Sequence, residues 1–129
     1  MELNVYEPSV IYSTFWGATT CDPTGIVLAD DGSLWISGRV FLSGLAVTPD
    51  AFQSEFSEGA AGVDAFLSHI GLHPPASLYT TYMGGESRDE ISAFQLVEDG
   101  RLALYGSTGS SEWPTTFGAY DTIFVCNNL

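Results

Sequence analysis

The chain contains no lysine and only three arginines, against sixteen aspartates and glutamates, so its formal net charge is −13. A surface of this sign repels phosphate backbones and anionic lipids, which argues against binding to nucleic acid or to a membrane surface. The acids are scattered along the sequence rather than clustered, a pattern typical of charge that serves solubility. A cationic ligand or a basic partner remains compatible with this composition.

Cysteine and histidine are equally scarce, with two residues of each. Cys21 and Cys126 lie in none of the short spacings that bind zinc or form a redox pair, and His69 and His73 do not complete a transition-metal set with them. We therefore expect no metal site and no cofactor. Whether the two thiols pair depends on whether the fold brings both ends of the chain together, which their spacing leaves open.

Long apolar runs are also missing, since none approaches the roughly 18 residues that a membrane helix requires. Residues 1–6 have neither the basic flank nor the apolar core of a signal peptide. We therefore expect no membrane insertion, and a signal outside this chain if the protein is exported. A hydrophobic fraction of 45% nonetheless predicts a folded domain.

What the sequence does contain is an internal repeat. At an offset of 67 residues, and of 68 after one inserted residue, the two halves match in the same order over about forty positions. The matched pairs include Tyr12 and Tyr79, Gly17 and Gly84, Asp22 and Asp89, Gly32 and Gly100, and Gly38 and Gly106. The repeat divides the chain into a first unit with a lead-in strand, residues 1–78, and a second unit shortened at its last loop, residues 79–129.

Each unit reads as four short strands separated by turn residues. The predicted strands are residues 10–15, 25–29, 33–37 and 64–70 in the first unit, and 78–82, 91–97, 102–105 and 122–126 in the second. Gly32 and Gly100 each follow an aspartate and supply the left-handed backbone of a hairpin tip, whereas Gly38 and Gly106 are predicted at turns that end strands. The fold class is therefore all-β.

The run Ile26, Val27 and Leu28 is apolar at consecutive positions, whereas a strand with one wet face alternates. Both faces of the sheet are therefore expected to be covered, as they are in a β-propeller blade between its two neighbours. Residues 50–56 offer a competing interpretation, because Phe52 and Phe56 are spaced as on a helix. The glycines at 59 and 62 interrupt that pattern and favour a loop.

The order of these motifs resembles the bacterial β-propeller repeat called SBBP over nearly the whole chain. The motifs are an aromatic-rich phrase ending in glycine at 12–17 and 79–84, an Asp-Gly hairpin, and the stretches 48–52, 62–66 and 113–120. The resemblance implies a large exported or cell-surface protein and brings no shared catalytic residues. This chain departs from the pattern in its second unit, where residues 53–63 have almost no counterpart.

Two blades cannot close a propeller, which needs roughly four to eight. We expect the ring to be completed either by assembly of several copies of this chain, three copies making six blades or four making eight, or by further blades of a longer parent chain. One hypothesis is that the C-terminal strand of one copy packs beside the N-terminal segment of the next. Deleting residues 1–9 should then lower the assembled mass.

These features favour a non-enzymatic module for protein binding or for structural and adhesive display. The alternative is a lectin-like propeller, in which Trp16 and Trp113 stack on sugars while Asp22 and Asp89 accept hydroxyl hydrogens. A propeller hydrolase or lyase is less favoured, because no Gly-x-Ser-x-Gly motif is present and no acid is identified to orient His69. We therefore assign no catalytic residue.

Overall fold

A computed structural model describes residues 1–18, 20–59 and 62–125. The fold is all-β, and every strand pairing is antiparallel. The strands are β1 (Glu2–Asn4), β2 (Ser9–Tyr12), β3 (Cys21–Leu28), β4 (Leu34–Val40), β5 (Asp64–Leu72), β6 (Pro75–Met83), β7 (Asp89–Leu96) and β8 (Leu102–Thr108). A single 3-10 turn, Glu98–Gly100, connects β7 to β8. Within the described ranges no helix is long and apolar enough to cross a membrane.

The strands form one four-stranded sheet, β3-β4-β5-β6, which we call the central sheet, and two separate two-stranded sheets. The latter are the N-terminal hairpin, β1–β2, and the C-terminal hairpin, β7–β8. Asp-Gly turns join β3 to β4 and β7 to β8, so each of these pairs is an antiparallel hairpin. The long connection is the loop of residues 41–63, which joins β4 to β5.

The central sheet packs on both sides, and each face has its own core. On the C-side face, Ala65 and Leu67 are buried against Ile91 of the C-terminal hairpin. On the opposite, N-side face, Phe66 and Tyr82 are buried beneath Leu45 of the long loop. Full burial of side chains of this size stabilises the fold by about 1.5–3 kcal/mol each, so the two cores hold the hairpin and the loop to the sheet.

The N-terminal hairpin repeats the pairing of β5–β6. The central sheet pairs His69 with Tyr79, Ile70 with Ser77 and Gly71 with Ala76, with a register shift after His69. The hairpin pairs Glu2 with Tyr12, Leu3 with Val10 and Asn4 with Ser9, with a register shift after Glu2. Every pair is related by an offset of 67 residues, and the irregularity falls at the same place.

The C-terminal hairpin repeats the pairing of β3–β4 in the same way. At an offset of 68, Gly25–Ser37 becomes Ala93–Tyr105 and Leu28–Leu34 becomes Leu96–Leu102. Both pairs of strands carry their register shift just before the first of these positions. Along the chain, β1 and β2 therefore correspond to the last two strands of a four-stranded sheet, β3 to β6 form one complete sheet, and β7 and β8 correspond to the first two strands of a further sheet.

This register corrects one detail of the sequence alignment. Asp89 opens β7 opposite Thr108, as Cys21 opens β3 opposite Val40. The inserted residue therefore lies before Asp89, and the structural counterpart of Asp22 is Glu90. The boundary at residue 78 falls inside β6, so the hydrogen-bonded sheet does not coincide with the sequence unit.

Near the C-terminus the structure differs from the prediction. Residues 122–125 belong to no strand, and Cys126, the last residue of the predicted strand, lies outside the described residues. Cys21 is half-buried, with its sulfur 3.4 Å from the carbonyl oxygen of Ala18. Residues 50–56 form no helix, in agreement with the loop interpretation.

Candidate functional site

An apolar groove of about 620 Å³ lies between the N-terminal segment and the N-side face of the central sheet. Its floor includes Ile26 and Leu28 of β3, whose exposed fractions are 62% and 66%. The sequence predicted that both faces of this strand are covered, and the structure shows that part of the N-side face is open. Large exposed apolar side chains grouped in this way are typical of a protein interface or a ligand-binding groove.

Trp16 forms part of the opposite wall of the groove, with Tyr12 and Thr14. The indole nitrogen of Trp16 is buried and has no hydrogen-bond partner in the described chain. Tyr12 packs edge-on against His73, with ring centroids 6.0 Å apart. The wall is therefore aromatic, with a polar indole N–H that has no acceptor.

The two hairpins also present free strand edges. In the described residues β1 pairs only with β2, and β8 pairs only with β7. An unpaired edge offers a row of N–H and C=O groups to any incoming strand. In the central sheet the equivalent strands, β4 and β5, pair with each other.

Two carboxylates are completely buried where the loops meet the sheets. Asp64 accepts hydrogen bonds from the Ser57 backbone N–H at 2.8 Å and from the Gln53 side chain at 3.2 Å. Asp89 accepts from the Gly85 N–H and the Ser110 hydroxyl, both at 2.8 Å. Asp64 thus ties residues 53–57 to the start of β5, and Asp89 ties Gly85 and Ser110 to the start of β7.

In both carboxylates the second oxygen, Oδ1, is buried and has no hydrogen-bond partner among the described residues. Burial, helped by the nearby charge of Asp89, raises the pKa of Asp64 from 3.8 to about 6 against the opposing hydrogen bonds from Ser57 and Gln53. No group of three or more metal-ligating side chains is found in the part of the chain that the structure describes. Asp64 therefore anchors residues 53–57 with a strength that depends on its protonation.

The structure brings together Asp31, Ser33 and His69, a combination that sequence spacing did not reveal. The Ser33 hydroxyl donates to Asp31 Oδ1, and its oxygen lies 2.6 Å from His69 Nε2. Hydrogen bonds from the Ser33 hydroxyl and the Ser33 backbone N–H lower the pKa of Asp31, whereas burial lowers the pKa of His69. Serine stands between the acid and the histidine, whereas nucleophilic catalysis requires the histidine in the middle.

The four residues predicted for sugar binding do not converge. Trp16 lines the groove, whereas Trp113 is half-buried in a separate pocket beside Met83 and Tyr105. Asp22 is exposed and pairs with Arg39 at 3.3 Å. Asp89 is completely buried and engaged by its own loops, so its carboxylate is closed to a surface ligand.

The four glycines predicted at turns fall into two classes. Gly32 and Gly100 lie at hairpin tips with φ of 82° and 72°. Gly38 and Gly106 lie inside β4 and β8 rather than at turns. A Cβ on Gly106 would lie 1.9 Å from the Glu90 carbonyl oxygen, so the reason for glycine there is close approach of the neighbouring strand.

Sequence reasoning missed Asp64 and Tyr82, although signals for both existed. Asp64 is a charged residue directly before the apolar stretch 65–67, a position where a carboxylate needs partners. The Tyr82 hydroxyl accepts from the N–H groups of Gly44 and Leu45 at 3.1 and 2.9 Å. Its counterpart in the repeat is Phe15, and this difference pointed to a role for the hydroxyl.

Comparison of the chain with protein-family models, curated proteins and solved structures finds no match.

Proposed function

We propose that this chain is a non-enzymatic β-propeller module that acts in structural or adhesive display by binding protein partners. One observation carries the proposal: both hairpins reproduce the register of the central sheet, irregularities included. A repeated four-stranded antiparallel sheet stacked face to face on its neighbours is the building principle of propellers. Under this proposal each hairpin is half of a blade.

The contacts of the central sheet support stacking of blades. Its C-side face is buried against β7, and the ion pair between Arg39 and Glu90, at 3.2 Å, crosses the same boundary. Its N-side face has the open groove, where a further blade would lie. A ring completed by other copies, or by further blades of a parent chain, provides that cover.

The chemistry of the described residues favours binding over turnover. Ser33 is buried and its hydroxyl hydrogen is directed to Asp31, so it is not presented to a substrate as a nucleophile. Asp64 and Asp89 are shielded by loops rather than facing a cleft. The resemblance to the SBBP repeat, with its exported and surface proteins, agrees with a role outside the cell.

The architecture is tested by electron microscopy of the purified chain, combined with its molar mass from light scattering. We expect ring-shaped particles with a central channel and a mass of three or four copies of the 13.8 kDa chain, corresponding to about six or eight blades. Particles without a channel at high protein concentration would contradict a ring built by this chain.

Glycan binding is the second candidate, and the position of Trp16 beside Tyr12 in the groove favours it. A glycan array should then show binding that is lost in Trp16→Ala. Binding should persist in Trp35→Phe, because Trp35 is stacked on His69 at 4.2 Å within the sheet. Loss of binding in both variants, or no glycan binding by the wild-type chain, would reject the groove as a sugar site.

A further inference from the structure

The geometry points to a second copy of the same chain as the partner that covers the groove. The C-terminal hairpin of the second copy lies over the open part of the N-side face of the first copy. In this arrangement β8 of the second copy pairs with β1 of the first. This inference rests on the proposed propeller function and names the partner and the register. The described structure contains a template for it, since the C-terminal hairpin already docks on the central sheet within one chain.

That internal interface includes two close contacts between β3 and β7. The Thr24 hydroxyl donates to the Ile91 carbonyl oxygen at 2.8 Å. The Phe94 ring packs directly on Gly25, since a Cβ added to this glycine would lie 3.0 Å from the ring. Both contacts join β3 of one sheet to β7 of the next.

The offset of 68 residues translates both contacts into a contact between copies. Thr24 becomes Ser92 and Ile91 becomes Pro23, so a hydroxyl donor still faces a backbone carbonyl. Ser92 and Pro23 are exposed in the single chain. The donor is therefore retained at an exposed position where the described residues of the same chain provide no acceptor.

The packing contact is retained with its sizes exchanged. Gly25 becomes Ala93, and Phe94 becomes Ile26. The extra methyl group of the alanine takes up room that the shorter isoleucine leaves, as close packing across an interface requires. Ala93 is exposed in the single chain, and Ile26 belongs to the open groove.

The ion pair between Arg39 and Glu90 translates into Ser107 and Asp22. Here a hydroxyl replaces the guanidinium, so the contact between copies keeps a donor for the carboxylate without a charge. Asp22 has 58% of its side chain exposed and is therefore accessible to this donor. Three contacts of different chemistry thus have complementary counterparts.

The free edges give the register of strand pairing. In the central sheet Leu34 of β4 pairs with Ile70 of β5. Their counterparts are Leu102 of β8 and Leu3 of β1, related by offsets of 68 and 67 residues. We therefore expect Leu102 of one copy to lie opposite Leu3 of the next, completing a four-stranded sheet from two chains.

Disulfide crosslinking tests this register in a background in which Cys21 and Cys126 are serine. Opposite residues of an antiparallel pair have Cα atoms about 4.5–5.5 Å apart, which lies within the range that a disulfide bridges. Leu3→Cys combined with Leu102→Cys should yield ladders of linked chains under mild oxidation. Leu3→Cys combined with Ala103→Cys is the control, because Ala103 points to the other face of the strand, and it should link at least about tenfold less.

A charge in the proposed interface gives an independent readout. Ala93→Glu should raise the dissociation constant of the assembly by about a hundredfold, because a carboxylate would be buried against Ile26 of the partner. Ala76→Glu places the same charge on the exposed edge strand β6 and should leave the mass unchanged. Because both alanines are exposed, both variants should keep the wild-type circular dichroism spectrum. A changed spectrum identifies a variant that fails to fold.

The outcomes separate this inference from the proposed function. Rings without the Leu3–Leu102 crosslink would overturn the register and leave the propeller proposal standing. A chain that stays monomeric in every variant would overturn the second copy as occupant and indicate blades of a longer chain. Crosslinked open chains without rings would support the pairing and contradict ring closure.

Discussion

Asp64 is a buried acid whose protonation is coupled to folding. Burial raises its pKa from 3.8 to about 6, so the folded protein binds this proton more tightly than the unfolded chain does. The resulting stability is fully present below about pH 3.8 and is lost as the pH rises through 6. A pKa difference of this size corresponds to about 3 kcal/mol.

We expect Asp64→Asn to flatten this dependence. The amide oxygen can still accept from Ser57, and the side chain stays neutral at every pH. The fall in the free energy of unfolding between about pH 4 and pH 8 should be about 2 kcal/mol smaller in the variant. Urea unfolding at fixed protein concentration measures it, with Asp50→Asn in the exposed loop as the control. Equal slopes in Asp64→Asn and the wild type would contradict the assigned pKa.

Tyr82 holds the long loop to the sheet through its hydroxyl. Tyr82→Phe should leave the N–H groups of Gly44 and Leu45 without a partner, at a cost of about 1–3 kcal/mol in the free energy of unfolding. Amide hydrogen exchange at residues 44 and 45 should accelerate in parallel. Tyr105→Phe is the matched control, because that side chain is 74% exposed and should change neither quantity.

Single residues were predictable where backbone chemistry decides and not where tertiary contacts decide. Gly32 and Gly100 have positive φ because a tight hairpin requires it, and this requirement is local. Asp89 was considered as a surface acceptor because nothing adjacent in sequence indicates Ser110 as its partner. The Ser33–His69 contact is equally invisible, since it joins neighbouring strands.

At the level of elements, the glycines inside β4 and β8 allow the bulged pairing. Gly106→Ala should push β8 away from Glu90 and lower the free energy of unfolding by about 1–3 kcal/mol. Thermal unfolding by circular dichroism measures the loss. Ala76→Ser, on the exposed edge strand β6, should have little effect, and equal melting of both variants would show that β8 moves without strain.

The strands were predictable as elements, but their grouping into sheets was not. Apolar bursts and Asp-Gly turns located β3 to β8 closely, since these signals act over a few residues. The sequence repeat begins at Tyr12, whereas hydrogen bonding groups the second occurrence of that strand, β6, with the sheet before it. A sequence repeat gives only the number of residues between equivalent strands. Where one sheet ends and the next begins depends on which strands pair by hydrogen bonds.

For the whole molecule, charge and shape act against each other. A net charge of −13 on each copy opposes association, whereas the open groove and free edges favour it. Composition predicts the repulsion, because it is a sum over residues. The surface that overcomes it could not be predicted from composition, since Ile26 and Leu28 read as buried until the fold shows them 62% and 66% exposed.

Salt should therefore strengthen assembly. Ions screen repulsion between like-charged copies, with a Debye length of about 10 Å at 0.1 M, whereas apolar and backbone contacts do not depend on charge. We expect the dissociation constant to fall by about tenfold between about 0.02 and 0.3 M sodium chloride. Light scattering across a dilution series measures the dissociation constant. Ala93→Glu is the control, which stays dissociated at both salt concentrations. Weaker assembly at high salt would instead mean that ion pairs hold the copies together. The proposed interface argues against this, because the contact between copies that corresponds to the Arg39–Glu90 ion pair joins Ser107, which is uncharged, to Asp22.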